Sequence, residues 1–216
     1  MVTGPGLFVV LEGGDGVGKS TQARLLAERL TAAGHEVVRT REPGGTRLGE
    51  LVRALLLDPA HTEMAPRTEA LLYAADKAQH LAEVVRPAVA RGAVVVSDRY
   101  VDSMLAYQGA GRVLDAGEVE QVARWATEGL RPDLTVLLDL DPEQAVGSLV
   151  SKDRLEGAGA EFHDRVRQGF LSLAAREPDR YLVLPARRPR DEIAAAVWAR
   201  VAALPELSDG RGTVIR

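Results

Sequence analysis

The chain has no cysteine among its 216 residues. Disulfides and thiolate metal sites are therefore excluded, and the composition fits a reducing, cytoplasmic setting. Lysine is scarce: of 27 basic residues, only Lys19, Lys77 and Lys152 are lysines. No apolar run approaches the roughly 20 residues that span a bilayer. The start, Met1-Val2-Thr3-Gly4-Pro5-Gly6, lacks the charged and apolar regions of a secretory signal. No membrane partner is expected. There is no basic excess either. The net charge is −4 with acids and bases interspersed, which argues against nucleic acid as a partner. No internal repeat is present, and no Asn-Lys-x-Asp guanine motif, which disfavours a GTPase switch. The length suits one globular domain over residues 1–207, with a polar, flexible tail at 208–216.

What is present begins at Gly13-Gly14-Asp15-Gly16-Val17-Gly18-Lys19-Ser20, which reads G-x-x-x-x-G-K-S. This is a phosphate-binding loop where strand, glycine-rich turn and helix follow one another. The apolar run Leu7–Leu11 precedes it, and Thr21–Ala33 follows with Leu25, Leu26 and Leu30 at helical spacing. Glycines let backbone N–H groups converge on phosphate oxygens, and the helix N-terminus adds donors and a favourable dipole. Lys19 supplies a charge at the β- and γ-phosphates, and the Ser20 hydroxyl is placed to ligate Mg²⁺. A lysine set between Gly18 and Ser20 in so lysine-poor a chain is informative. The loop alone does not separate ATPases from small-molecule kinases.

Apolar runs recur at Glu36–Thr40, Ala93–Ser97, Leu134–Leu138 and Tyr181–Leu184. Helical patterns alternate with them at Gly49–Leu57, Pro66–Arg91, Asp115–Glu128, Pro142–Val150, Glu161–Arg176 and Asp191–Ala203. This order predicts an α/β fold whose parallel sheet is covered on both faces, with ligands at the C-terminal strand ends.

Several segments fall on that edge. Asp98-Arg99-Tyr100 offers a carboxylate for Mg²⁺ and a guanidinium fork for a second phosphate, or a structural ion pair. Arg41-Glu42-Pro43-Gly44-Gly45 is an irregular loop of binding or turn character. Tyr107 and Gln108 offer a ring and an amide to a sugar and a base edge; Tyr107 alone is as well read as packing. Tyr73 and Lys77 share a helix face, as base platform and cation or as core and surface. Lys152-Asp153-Arg154-Leu155-Glu156 is either a closing basic segment or a solvated charge run.

Taken in order, Asp15 in the loop, Arg41-Glu42-Pro43-Gly44-Gly45-Thr46, Leu71–Lys77, Asp98-Arg99-Tyr100, Ala106-Tyr107-Gln108-Gly109, Asp153-Arg154-Leu155-Glu156 and Glu161-Phe162-His163 resemble bacterial thymidylate kinases. The resemblance runs from about Leu7 to Ala203. It implies a three-layer P-loop fold with a five-stranded parallel sheet and a short lid at about 147–160. It implies γ-phosphate transfer from ATP to dTMP with Mg²⁺, and a homodimer. Carried over, Gly13–Ser20 and Thr21 hold ATP, with Ser20, Asp98 and Asp15 at the metal. Asp15 also nears the deoxyribose. Arg99, with Arg41 nearby, holds the dTMP phosphate, and Glu42 and Pro43 lie beside it. Tyr73 stacks on thymine, Gln108 and Lys77 meet the base edge, and Tyr107 fills the place of a 2′-hydroxyl.

Two departures stand out. The family commonly has Arg at Lys77, and the exchange predicts weaker discrimination among pyrimidines. The stretch Gly147–Ser151 is uncharged, so charge stabilisation at the γ-phosphate falls to Lys152 and Arg154. A kinase for another pyrimidine monophosphate, a P-loop paralogue with a binding role, and an ATPase using Val136–Asp139 are the rival readings.

Overall fold

The computed structural model describes residues 6–112, 114–141 and 159–208. Five strands form one parallel sheet: β1 (Leu7–Gly13), β2 (Val37–Arg41), β3 (Val94–Asp98), β4 (Leu134–Asp139) and β5 (Tyr181–Pro185). Their spatial order is β2-β3-β1-β4-β5. β1 is therefore central, with Leu11 beside Asp98 of β3 and Gly13 beside Leu138 of β4.

Alternation along β1 builds two cores. Leu7, Val9 and Leu11 pack with Val94, Val96, Val136 and Leu138 under helices α1 (Lys19–Ala32) and α8 (Arg190–Ala202). Phe8 and Val10 face the other way, onto Leu81, Val85, Ala88 and Tyr100. That second face also carries α2 (Arg47–Leu57), α3 (Pro66–His80), α4 (Arg86–Ala90), α5 (Val101–Met104), α6 (Ala116–Thr127) and α7 (Ala160–Arg176). A short α9 (Pro205–Ser208) ends the described chain. Thr46 caps α2 by accepting from Gly49 N at 2.8 Å, and Asp115 caps α6 by accepting from Glu118 N at 2.9 Å.

The elements fall close to where the apolar runs put them, with three differences. β1, β3 and β4 are buried throughout but for the last residue of β3 and of β4, whereas β2 and β5, at the sheet edges, are half-buried and mixed in pattern. The span 66–91 is not one regular helix: a π-helical turn at Leu81–Val85 sits between α3 and α4. Pro87 has no N–H and crowds the carbonyl four residues earlier, and widening the ladder relieves the crowding. The edge segment after Asp98, for which no helix was expected, is helical: α5 runs into a π-helical turn at Leu105–Gly111. The helix expected at 142–150, the lid at 147–160 apart from Gly159 and Ala160, and the tail apart from Ser208 lie outside the described residues. Among the described residues, no helix is long and apolar enough to cross a membrane.

Candidate active site

β1 delivers the P-loop to the middle of the sheet's C-terminal edge. Gly13, Gly16 and Gly18 hold φ of 134, 71 and 96°, where a side chain is strained. At Gly13 space forbids it too: a Cβ would stand 2.4 Å from Leu138 O. Gly14 and Val17 complete the turn, with Val17 buried in the core, and Lys19, Ser20 and Thr21 open α1. The Lys19 ammonium donates to Gly14 O. Burial, then the charge of Arg99, pull it down to about 8 against the opposing pull of Asp15, Asp98 and Glu12. The Ser20 hydroxyl donates to Asp98. A hydroxyl and a carboxylate side by side are hard oxygen donors that fit Mg²⁺.

Beside the loop lies a cleft of about 500 Å³, open to solvent. Asp15 and Arg99 line its phosphate-loop side and form a salt bridge. The Arg99 fork also reaches Gly13 O and Ser103 Oγ, both at 2.9 Å, and Tyr107 Oη at 3.2 Å. Its guanidinium lies over the Tyr107 ring at 5.1 Å. Tyr107 Oη in turn donates to Asp15 Oδ2 at 2.8 Å. Burial works to raise the Asp15 carboxyl, but Arg99, Lys19 and Tyr107 hold it well below the usual range, at about 2.

Arg99 has φ 74°, the left-handed region, although it is not glycine. The turn is fixed by its hydrogen bonds. Arg99 N donates to Leu11 O at 2.9 Å, and Ser97 Oγ donates to Arg99 O at 2.8 Å. Glu12, wholly buried at the end of β1, accepts from Tyr100 N (2.8 Å), Ser103 N (3.1 Å) and Ser103 Oγ (2.6 Å). Glu12 thus ties the phosphate loop's strand to the turn that carries Arg99.

At the far end, Glu42, Pro43, Tyr73, Lys77 and Gln108 line the cleft. Glu42 follows β2, and its peptide bond to Pro43 is cis. Lys77 is 1% exposed and donates to Glu42 Oε2 at 2.8 Å; His80 Nδ1 donates to Oε1 at 2.7 Å. His80 Nε2 meets Thr40 Oγ1 at 2.6 Å. Burial works to raise Glu42, and Lys77 and His80 overcome it, holding the carboxyl below its usual range. Lys77 is thus neither solvated nor a free reader of the base edge; it neutralises Glu42. Arg41 lies away from the cleft lining, half exposed and paired with Glu50 at 2.9 Å. Expected near the acceptor phosphate, Arg41 here turns its fork toward α2. Asp15, expected at the metal, has its oxygens engaged by Arg99 and Tyr107. Lys152 and Arg154 are outside the described residues.

The cleft also contains residues that sequence reasoning missed. Arg53 and Leu57 reach it from α2, Arg53 donating to Pro43 O at 2.9 Å, and Ser103 reaches it from α5. Glu12 carried a signal, a charge inside an apolar strand directly before the phosphate loop. Arg53 carried none beyond one helical turn's offset from Gly49.

A P-loop at the centre of a five-stranded parallel sheet, with a second cleft holding a guanidinium beside the loop, defines a P-loop kinase fold acting on a small acceptor. The family model described as thymidylate kinase matches residues 11–197. The chain is 61% identical to a thymidylate kinase of Cutibacterium acnes over 199 residues, covering 92% of this chain and 98% of that protein. It is 56% identical to one from Deinococcus radiodurans, covering 91% and 96%. The crystal structure of thymidylate kinase from Ehrlichia chaffeensis superposes with a TM-score of 0.77 at 32% identity, covering 91% of this chain and all of that one. The chain belongs to the thymidylate kinase family.

Proposed function

We propose that this enzyme transfers the γ-phosphate of ATP to dTMP, giving dTDP and ADP. The observation that carries this reading is the cleft beside Lys19, with Arg99 at its phosphate end and Tyr73 and Gln108 at its far end. The backbone of Gly13–Gly18 and Lys19 hold the donor phosphates, and Thr21 follows them at the start of α1. Ser20 and Asp98 hold Mg²⁺, which neutralises charge on the donor oxygens when bound. Arg99 fixes the acceptor phosphate, Tyr73 supports the base, and Tyr107 bounds the sugar. The nucleophile is itself a phosphate oxygen, so no strong general base is needed; positioning and charge neutralisation supply the rate. Charge stabilisation from the lid is assigned to Arg154, helped by Lys152; Arg154→Ala at saturating ATP lowers kcat if so. The high identity to thymidylate kinases does not favour a kinase for another base or a non-catalytic paralogue.

A homodimer is part of the reading. Leu48, Leu51 and Leu55 recur on α2 at helical spacing and are about half exposed or more, with Leu71 on α3 and Trp125 on α6 also exposed. Such a face is suited to a second copy of the chain. The activity is tested by ADP release across a panel of nucleoside monophosphates. Release that depends on dTMP is expected; equal ATP hydrolysis without an acceptor overturns the reading.

A further inference from the structure

Gln108 reaches the cleft from the π-helical turn, and the two ends of its amide are opposite in chemistry: the carbonyl accepts and the NH₂ donates. Glu69, wholly buried on α3, decides which end faces it. Gln108 Nε2 donates to Glu69 Oε1 at 2.9 Å. Arg112 pairs with Glu69, donating from Nε to Oε1 at 3.1 Å and from Nη2 to Oε2 at 3.0 Å. The Arg112 guanidinium is itself seated over the Phe162 ring at 5.0 Å. Both Glu69 oxygens are thus acceptors for N–H groups. Turning the Gln108 carbonyl toward them would set two acceptors against each other in a buried place, where mismatched polar groups cost most. The carbonyl is therefore the end of the amide left for the cleft.

The pyrimidine bases differ at the atom such a carbonyl can read. Thymine and uracil carry an N3–H donor; cytosine carries a lone pair there. We infer that Glu69 is a positioning residue that sets the hydrogen-bonding polarity of Gln108, so that the cleft admits acceptors with an N3–H imide and rejects cytosine. This inference rests on the acceptor site proposed above.

The test measures kcat/KM for dTMP, dUMP and dCMP with the full chain and with Glu69→Gln. The new amide can donate to Gln108 and so release the amide to turn its NH₂ to the base. Activity on dTMP and dUMP is expected to fall together by about tenfold or more, because a paired polar group is lost in a buried site. The ratio of dCMP to dTMP is expected to rise by about tenfold or more, whereas general damage would lower all three alike. A folded variant with an unchanged dCMP-to-dTMP ratio overturns the inference. Should Glu69→Gln fail to fold, the parent is assayed with dTMP methylated at N3. Rejection is expected, and turnover equal to dTMP overturns the inference. A parent that is inactive on dTMP would instead sink the acceptor assignment itself, which keeps the two failures apart.

Discussion

Tyr107 donates its phenolic proton to Asp15 Oδ2 at 2.8 Å, joining the helix that walls the cleft to the phosphate loop. The hydroxyl sits at 3.2 Å from the Arg99 fork as well, so one oxygen steadies both charges. Removing it in Tyr107→Phe leaves the ring and its edge contacts with Phe162 and Phe170 in place. The expected result is a drop of about tenfold in kcat/KM for dTMP, the scale of one charge-linked hydrogen bond. Assays of dUMP against UMP are expected to show the deoxy preference relaxed. A variant with parental rate and parental preference would remove Tyr107 from the sugar site.

Arg99→Lys keeps the charge and discards the fork that spans Gly13 O, Ser103 Oγ, Asp15 and Tyr107. Lysine also loses the planar match to a phosphate. kcat/KM for dTMP is expected to fall by about 100-fold or more, from the combined loss of bidentate contacts. KM for ATP is expected to stay near the parent's. Steady-state kinetics with each substrate varied in turn separate the two; an equal rise in both Michaelis constants would point to collapse of the loop instead.

Glu12 links pH to stability. Burial, then the neighbouring Asp102, raise its carboxyl from 4.5 to about 7. Between those values the folded chain holds a proton that the unfolded chain has released. The stabilisation is therefore fully present below pH 4.5 and is lost as pH rises through 7. Glu12→Gln removes this titration. Denaturant unfolding at about pH 5 and about pH 7.5 is expected to show a smaller fall for the variant than for the parent, by on the order of 2 kcal/mol. Identical falls would mean that Glu12 titrates normally. Because Gln Nε2 cannot accept from Ser103 Oγ, the variant is also expected to weaken dTMP binding through Arg99.

Leu51 is 61% exposed at the middle of the α2 face. A charge there should oppose burial against a second copy by about 2 kcal/mol or more. Sedimentation of Leu51→Glu at micromolar protein is expected to give a monomer where the parent gives a dimer. Unchanged sedimentation would rule this face out as the proposed dimer interface.

The phosphate loop and the places of the strands along the chain were legible because their signals are local. The loop is eight adjacent residues, and the buried strands β1, β3 and β4 are continuous apolar runs. The Glu42, Lys77 and His80 cluster was not legible, because it joins residues 35 and 38 positions apart and buries a lysine, the residue most readily assigned to solvent. Arg53 was hidden by composition: in a chain where nearly every cation is arginine, one more on a helix draws no notice. The π-helical turn at Leu105–Gly111 gave no helical signal, because its two glycines interrupt the apolar pattern. Its widened ladder nonetheless turns both Tyr107 and Gln108 inward.

The central place of β1 constrains the chain's length more than its composition. Leu11 is aligned with Asp98 on one side and Gly13 with Leu138 on the other, so the pleat of three strands is locked together. Exchanging Val9 for another branched residue disturbs only packing. Inserting a single residue ahead of Gly13 would turn the two core faces of β1 inside out or carry Ser20 away from Asp98. In this part of the molecule insertions and deletions, rather than substitutions, are what the architecture forbids.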